Sequence, residues 1–211
     1  SNKGNLMLFN EIKLPVQKRS KERLEKVIET TVQILEQQGI NACTIPEIAT
    51  KADLPKINIY QYFPTVNHLF SIMMKRYLDE LQGYMSVKSD AYIVLTTRQI
   101  THDLILKVAR FYNTHKAASL LILGGPVHVD GFNLQEMVIE QIAADLRYIF
   151  SAKSHPIEFL KQDEPIYLIE MVFALMKHGF YKFGFITDEI LAECLNVSDL
   201  YLSSKGHNLD Q

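Results

Sequence analysis

The sequence predicts an all-α protein, and three observations lead there. Apolar residues recur at helical spacing through most of the chain, strand-like alternation is nearly absent, and turn residues are few and widely separated. With 211 residues, 47% of them hydrophobic, the chain can bury a large core in one or two domains.

The elements follow in order. Leu24, Val27, Ile28, Thr31 and Leu35 keep helical spacing, and Gly39 stands where that helix should stop. Thr44 lies three residues before Glu47, the spacing of a capping box, and Ile45, Ile48, Ala49 and Ala52 make the apolar stripe of a second helix. Asp53-Leu54-Pro55 makes a turn. Pro55 suits a first helical position, so a third helix is expected from there to Phe63. Pro64-Thr65 breaks the chain and caps a fourth helix carrying Leu69, Phe70, Met73, Tyr77 and Leu81. Later helices are expected over 96–114, 116–124, 133–151, 164–183 and 187–203. Gly124-Gly125-Pro126, His155-Pro156 and Gly184 separate them, and His128-Val129-Asp130 reads as a loop.

Composition excludes several function classes. The net charge of −2 announces no general affinity for nucleic acid, so any electrostatic footprint must be local. Residues 1–70 hold nine Lys/Arg against seven Asp/Glu, the remainder thirteen against seventeen, so the amino end is the more positive. Cys43 and Cys194 are too few for a disulfide framework and read as buried thiols in a reducing cytoplasm. No signal-peptide pattern is evident. Ser1-Asn2 reads as a remnant of an expression tag. The apolar run Ile166 to Met176 is interrupted by Glu170 and too short to span a membrane. His102, His115, His128 and His178 lack metal-ligand spacing, and no phosphate loop, nucleophile elbow or metal-binding histidine pair occurs. Neither a cofactor, a metal nor an enzymatic activity is expected.

The third helix carries the functional signal. Leu54, Ile59 and Phe63 supply apolar anchors, while Lys56, Asn58, Gln61 and Tyr62 supply polar side chains on another face. Asn and Gln can bond adenine through two hydrogen bonds, and Lys can reach guanine or a phosphate. Tyr60 reads either as a core aromatic with its hydroxyl at the rim or as a further contact. Thr44 offers a hydroxyl at a helix N-terminus. Lys18, Arg19, Lys21 and Arg23 offer charge just before the first helix. This is the arrangement of a helix-turn-helix that lays its second helix in the major groove of double-stranded DNA.

Residues 44–70, TIPEIATKADLPKINIYQYFPTVNHLF, resemble the helix-turn-helix signature of the TetR family of bacterial transcriptional regulators. The Ile48-Ala49 and Tyr60/Phe63 pairs at this spacing carry the resemblance, which covers about 50 residues from Leu24 on. It implies a helix-turn-helix DNA-binding domain over 18–70. A long fourth helix then joins it to a helical ligand-binding and dimerisation domain over 71–211. Three positions depart from the pattern: Asp53 where the turn usually carries Gly, Ile57 where a small residue is common, and Val66 where a phosphate-binding Lys is common. Ile57 either meets a thymine methyl or blocks close backbone approach.

The resemblance implies a ligand-responsive repressor acting as a homodimer on a palindromic operator. Phe111, Tyr112, Met137, Tyr148, Met171, Phe173 and Met176 are candidates to line an adaptable site for a largely apolar effector. Glu170, the lone charge in its apolar run, must be paired, exposed at a seam or facing a cationic ligand. Ile166, Leu168, Ile169, Met171, Val172, Phe173, Leu175, Met176 and Phe180 cover nearly every side of their helix, so a homodimer through the last two helices is expected. The competing reading is a helical small-molecule-binding or interaction protein whose DNA binding is weakened or lost.

Overall fold

A computed structural model describes residues 12–86, 90–125 and 128–211 and contains, among them, nine α-helices and no strand. In chain order these are α1 (Lys18–Gln38), α2 (Ile45–Ala52), α3 (Lys56–Tyr60), α4 (Val66–Tyr84), α5 (Thr97–Thr114), α6 (Lys116–Ile122), α7 (Val129–Ala152), α8 (Glu164–Phe183) and α9 (Asp188–Ser204). The all-α expectation holds. Two compact units result: residues up to Tyr77 with Lys116–Leu134, and Leu78–His115 with Gln135–Gln211. These are units of packing, whereas the expected division at residue 70 is one of function.

In the first unit α1 buries Leu24, Val27, Thr30, Thr31, Ile34 and Leu35. The Thr31 hydroxyl, itself buried, donates to the Val27 carbonyl at 2.7 Å, so no polar atom is left bare in that stripe. Gly39, at φ +86°, ends the helix in a conformation that suits glycine. The helix starts earlier than expected. Lys18, Arg19, Lys21 and Arg23 lie within its first turns instead of preceding it, because Lys and Arg are good helix formers and nothing after Gln17 interrupts them. Arg76 on α4 grips Glu25 on α1 through two hydrogen bonds of 2.8 and 3.0 Å. Lys116 donates to the Glu36 carbonyl at the C-terminal end of α1, where a cation is favoured.

The second unit is organised around the α8–α9 hairpin. Gly184 in the left-handed region ends α8, and Thr187 caps α9 by accepting from the Ile190 N–H at 3.2 Å. A side chain at Gly179 would place its Cβ 2.9 Å from Ile190, so glycine sets how closely the two helices approach. Leu168, Val172, Met176 and Gly179 form the buried side of α8. Apolar residues ring this helix in sequence, but Tyr167 and Tyr181 are exposed in the single chain. Helix α5 opens on a full capping box between Thr96 and Gln99. Asp199 on α9 accepts from both Arg98 and His102 on α5, the latter at 2.9 Å.

Three further boundaries differ from expectation. Helix α3 is regular only to Tyr60, and hydrogen-bonded turns carry it on to Phe63, where Pro64 disfavours helical geometry. Pro55 stands one position before the helix rather than at its first residue. Helix α7 begins at Val129, so Val129 and Asp130 are helical instead of looped, and the Asp130 carboxylate suits a first turn. The breaker residue Pro126 lies outside the described residues. Cys43 and Cys194 are buried free thiols, each pushed up to about 11 by burial.

Candidate nucleic-acid interface

The helix-turn-helix is built from two caps and one buried pair. Thr44 accepts from the Glu47 N–H at 3.3 Å and starts α2. At the other end, Asp53 adopts a left-handed conformation (φ 52°, ψ 50°). The Leu54 N–H reaches back to the Ala49 carbonyl and the Asp53 N–H to that of Thr50, which is a Schellman closure. This explains the Asp53 departure noted in the sequence: the geometry is the one glycine normally supplies, and Asp is among the few residues that tolerate it. Asp53 is the non-glycine residue with positive φ among those described.

From that turn α3 emerges with one side sealed and the other open. Ile59 and Phe63, one turn apart, are completely buried and hold the helix to its unit. Burying each side chain contributes roughly 1.5–3 kcal/mol. Lys56, Ile57, Tyr60 and Gln61 form the exposed face, with Ile57 70% and Tyr60 45% accessible. Asn58 is half-buried beside them. Tyr62 is also half-buried, its ring edge-on to Phe63 at 6.5 Å. Tyr60 thus joins the open face.

The flanking donors are in place as well. Thr44 is exposed at the start of α2. Lys18, Arg19 and Lys21 are exposed in the first turns of α1. Cations there sit against the positive end of the helix macrodipole, an arrangement that an anion such as phosphate would relieve. The fourth helix carries a device not read from the sequence. Thr65 donates its N–H to Nδ1 of the buried His68 at 3.2 Å, and the Thr65 hydroxyl lies 2.7 Å from the same nitrogen. His68 therefore serves as the reciprocal partner that Glu or Gln usually provides in a capping box. Val66, at the lysine position of the family pattern, is half-buried in the first turn of this helix.

The candidate effector residues are dispersed. Phe111 and Tyr112 are buried on α5, Phe111 stacking on His115 at 4.2 Å, and burial pushes the Tyr112 hydroxyl up. Met137 and Tyr148 lie on the exposed side of α7, apart from that pair. Met171 and Phe173 are half-buried on α8, with Lys177 positioned 5.7 Å from the Phe173 ring centroid. Glu170 has a partner that the sequence did not suggest. It hydrogen-bonds the Glu136 carboxyl on α7, and burial, that bond, and the charges of Glu170 and Glu140 push Glu136 up to about 7. Glu136 and Glu140 share a face of α7 by spacing, but only the packing of α7 on α8 brings Glu170 to them.

Residues 27–71 match the model of the bacterial regulatory proteins of the tetR family. No curated protein matches the chain in sequence. Among solved structures, a TetR-family transcriptional regulator from Streptomyces coelicolor superposes with a TM-score of 0.64 at 18% identity, over 88% of this chain and 98% of that one. The fatty acid degradation regulator FadR from Bacillus halodurans gives 0.59 at 15% identity, over 88% and 97%. FadR from Bacillus subtilis, in complex with stearoyl-CoA, gives 0.60 at 14%, over 85% and 97%. At these identities the likeness is one of fold. Regulators of this family are non-enzymatic DNA-binding proteins, in keeping with a sequence that carries no catalytic motif. No helix among the described residues is long and apolar enough to cross a membrane, and no described group of three or more His, Cys, Asp or Glu is placed to hold a metal ion.

Proposed function

We propose that this chain, which carries the helix-turn-helix domain and the fold of a TetR-family transcriptional regulator, is a ligand-responsive repressor that binds a palindromic operator as a homodimer. The observation that carries the reading is α3 itself: Ile59 and Phe63 are sealed while Lys56, Ile57, Tyr60 and Gln61 stand open on one face. A short helix so anchored presents side chains to a major groove without moving its own backbone. Gln61 and Asn58 suit adenine, Lys56 suits guanine or phosphate, and Ile57 suits a thymine methyl. Thr44, Lys18 and Arg19 suit the flanking phosphates.

The dimer reading has its own support. Tyr167, Met171, Ala174, His178 and Tyr181 follow one another along α8 at spacings of four and three, the pattern of a helix-pairing seam. All are exposed or half-exposed in the single chain, Tyr181 by 88%, and Leu200 on α9 is exposed as well. A two-fold copy would cover this stripe. An effector with a long apolar part fits the buried aromatic pair Phe111 and Tyr112, and the stearoyl-CoA complex of the Bacillus subtilis FadR is a precedent within the fold. To act, that effector must bind the DNA-incompetent form more tightly, by about 1–3 kcal/mol.

The test is fluorescence anisotropy on the DNA upstream of the chain's own gene, with wild type and a Lys56→Ala/Tyr60→Ala/Gln61→Ala variant. Binding that falls steeply with salt and weakens at least about tenfold in the folded variant is expected. No wild-type binding even at low salt would instead favour a helical ligand-binding protein that has lost its DNA.

A further inference from the structure

Six side-chain polar atoms among the described residues are enclosed and lack a hydrogen-bond partner, and four of them belong to the α8–α9 hairpin and its tail: Glu164 Oε2, Ser198 Oγ, Tyr201 Oη and His207 Nε2. Enclosed polar atoms are normally satisfied, so a concentration of bare ones marks a place where something else binds. Glu164 is the decisive member. It is the first residue of α8, it is buried to 2% exposure, and no ion pair among the described residues includes it. A carboxylate so enclosed without a cation is costly.

Glu164 opens α8 and Tyr201 lies in the last turn of α9, so the hairpin brings both to one end, with His207 just beyond it in the tail. Burial first, and then the charge of Glu164, push the Tyr201 hydroxyl up, while burial pushes the His207 imidazole down with the Glu164 charge opposing. Phe159 closes the side of His207, ring edge to face at 5.5 Å, and Lys205 lies 5.3 Å from the centre of the Tyr201 ring. These atoms are enclosed by one chain alone, so no second copy can supply the missing partners.

We infer that Glu164, Tyr201 and His207 form a binding site for a small protonated amine, an ammonium head group that donates to Glu164 Oε2, Tyr201 Oη and His207 Nε2 together. The chemistry is selective. A water molecule would satisfy the hydrogen bonds but leave the carboxylate charge unopposed, and a sodium ion would oppose the charge without donating a hydrogen bond. Burial holds His207 below the usual imidazole range, so near neutral pH it is uncharged and its Nε2 lone pair is free to accept. The site lies at the α8–α9 end, apart from the buried pair Phe111 and Tyr112, and does not depend on the chain binding DNA.

The experiment compares the thermal midpoint of the full chain in ammonium chloride with that in sodium chloride at matched ionic strength and neutral pH, followed by methylammonium chloride. A saturable rise in ammonium over sodium is expected, since a ligand that binds only the folded state stabilises it by mass action. Glu164→Gln should remove the difference, and Tyr201→Phe, which keeps the ring, should shift its midpoint concentration about tenfold upward. A matching rise in methylammonium assigns the head group of a larger amine, and a rise in ammonium alone assigns the free ion. Equal midpoints in ammonium and sodium for the wild type would overturn the proposal. So would an ammonium effect that never saturates, or one that survives intact in both variants.

Discussion

Helices α3 and α8 both expose large apolar side chains in the single chain, and the company those side chains keep is what separates them. On α3, Ile57 and Tyr60 stand among Lys56 and Gln61, on a helix whose opposite side is sealed by Ile59 and Phe63. On α8, Tyr167, Met171, Ala174, His178 and Tyr181 stack in a seam with no strong charge within it. Exposure alone therefore identifies no partner. A mixed polar and apolar face suits the edges of base pairs, whereas an apolar seam at coiled-coil spacing suits a second copy of the same helix.

The comparison breaks first at the sealed side of α3. Phe63→Ala should cost about 3–5 kcal/mol through the cavity left behind, lowering the urea midpoint of the chain. A variant that keeps its stability would mean that Phe63 does not anchor the reading helix. On α8, Met171→Glu with Tyr181→Glu places two charges in the seam, and light scattering after size exclusion should then report a monomer with its helical content retained. A dimer unaltered by both charges would move the interface elsewhere.

Smaller effects sharpen the picture. At the turn before α3, Asp53→Val forces a branched side chain into a left-handed conformation and should destabilise by about 1–2 kcal/mol, while Asp53→Gly should leave stability equal or slightly higher. Denaturant titrations of the two variants side by side give the answer, and equal losses in both would assign Asp53 a role for its carboxylate. On α7, where it meets Glu170 of α8, Glu136 is held at about 7 against an ordinary 4.5. The folded chain therefore keeps a proton that the unfolded chain has released. That contribution is complete below about pH 4.5 and is lost as pH rises through about 7. Glu136→Gln should raise the thermal midpoint above neutral pH and make little difference near pH 4.5. A gain of equal size at both ends would detach the effect from titration.

The amino end was largely legible because its information is local. Gly39, the Thr44 cap, the Asp53-Leu54-Pro55 turn and the Ile59/Phe63 spacing each act within a few residues, so composition and order suffice to place α2, α3 and their turn. The same locality explains the errors. Where α1 begins rests on small differences in helix propensity that no single residue decides, and α3 loosens after Tyr60 as it nears Pro64. In the second unit, the periodicity and the break at Gly184 place α8 and α9 within a residue of where they lie.

By itself, then, the amino-acid sequence determined an all-helical chain, the helix-turn-helix and the residues proposed to meet DNA. The tertiary structure alone decided which acids meet. Glu170 finds Glu136 across two helices, and Glu164 is buried at the start of α8 with no hydrogen-bond partner for its Oε2 among the described residues. Periodicity reports which side of a helix is apolar, but the neighbours of a buried charge are set by packing between distant segments, and it is that packing which removes the water and makes the charge matter.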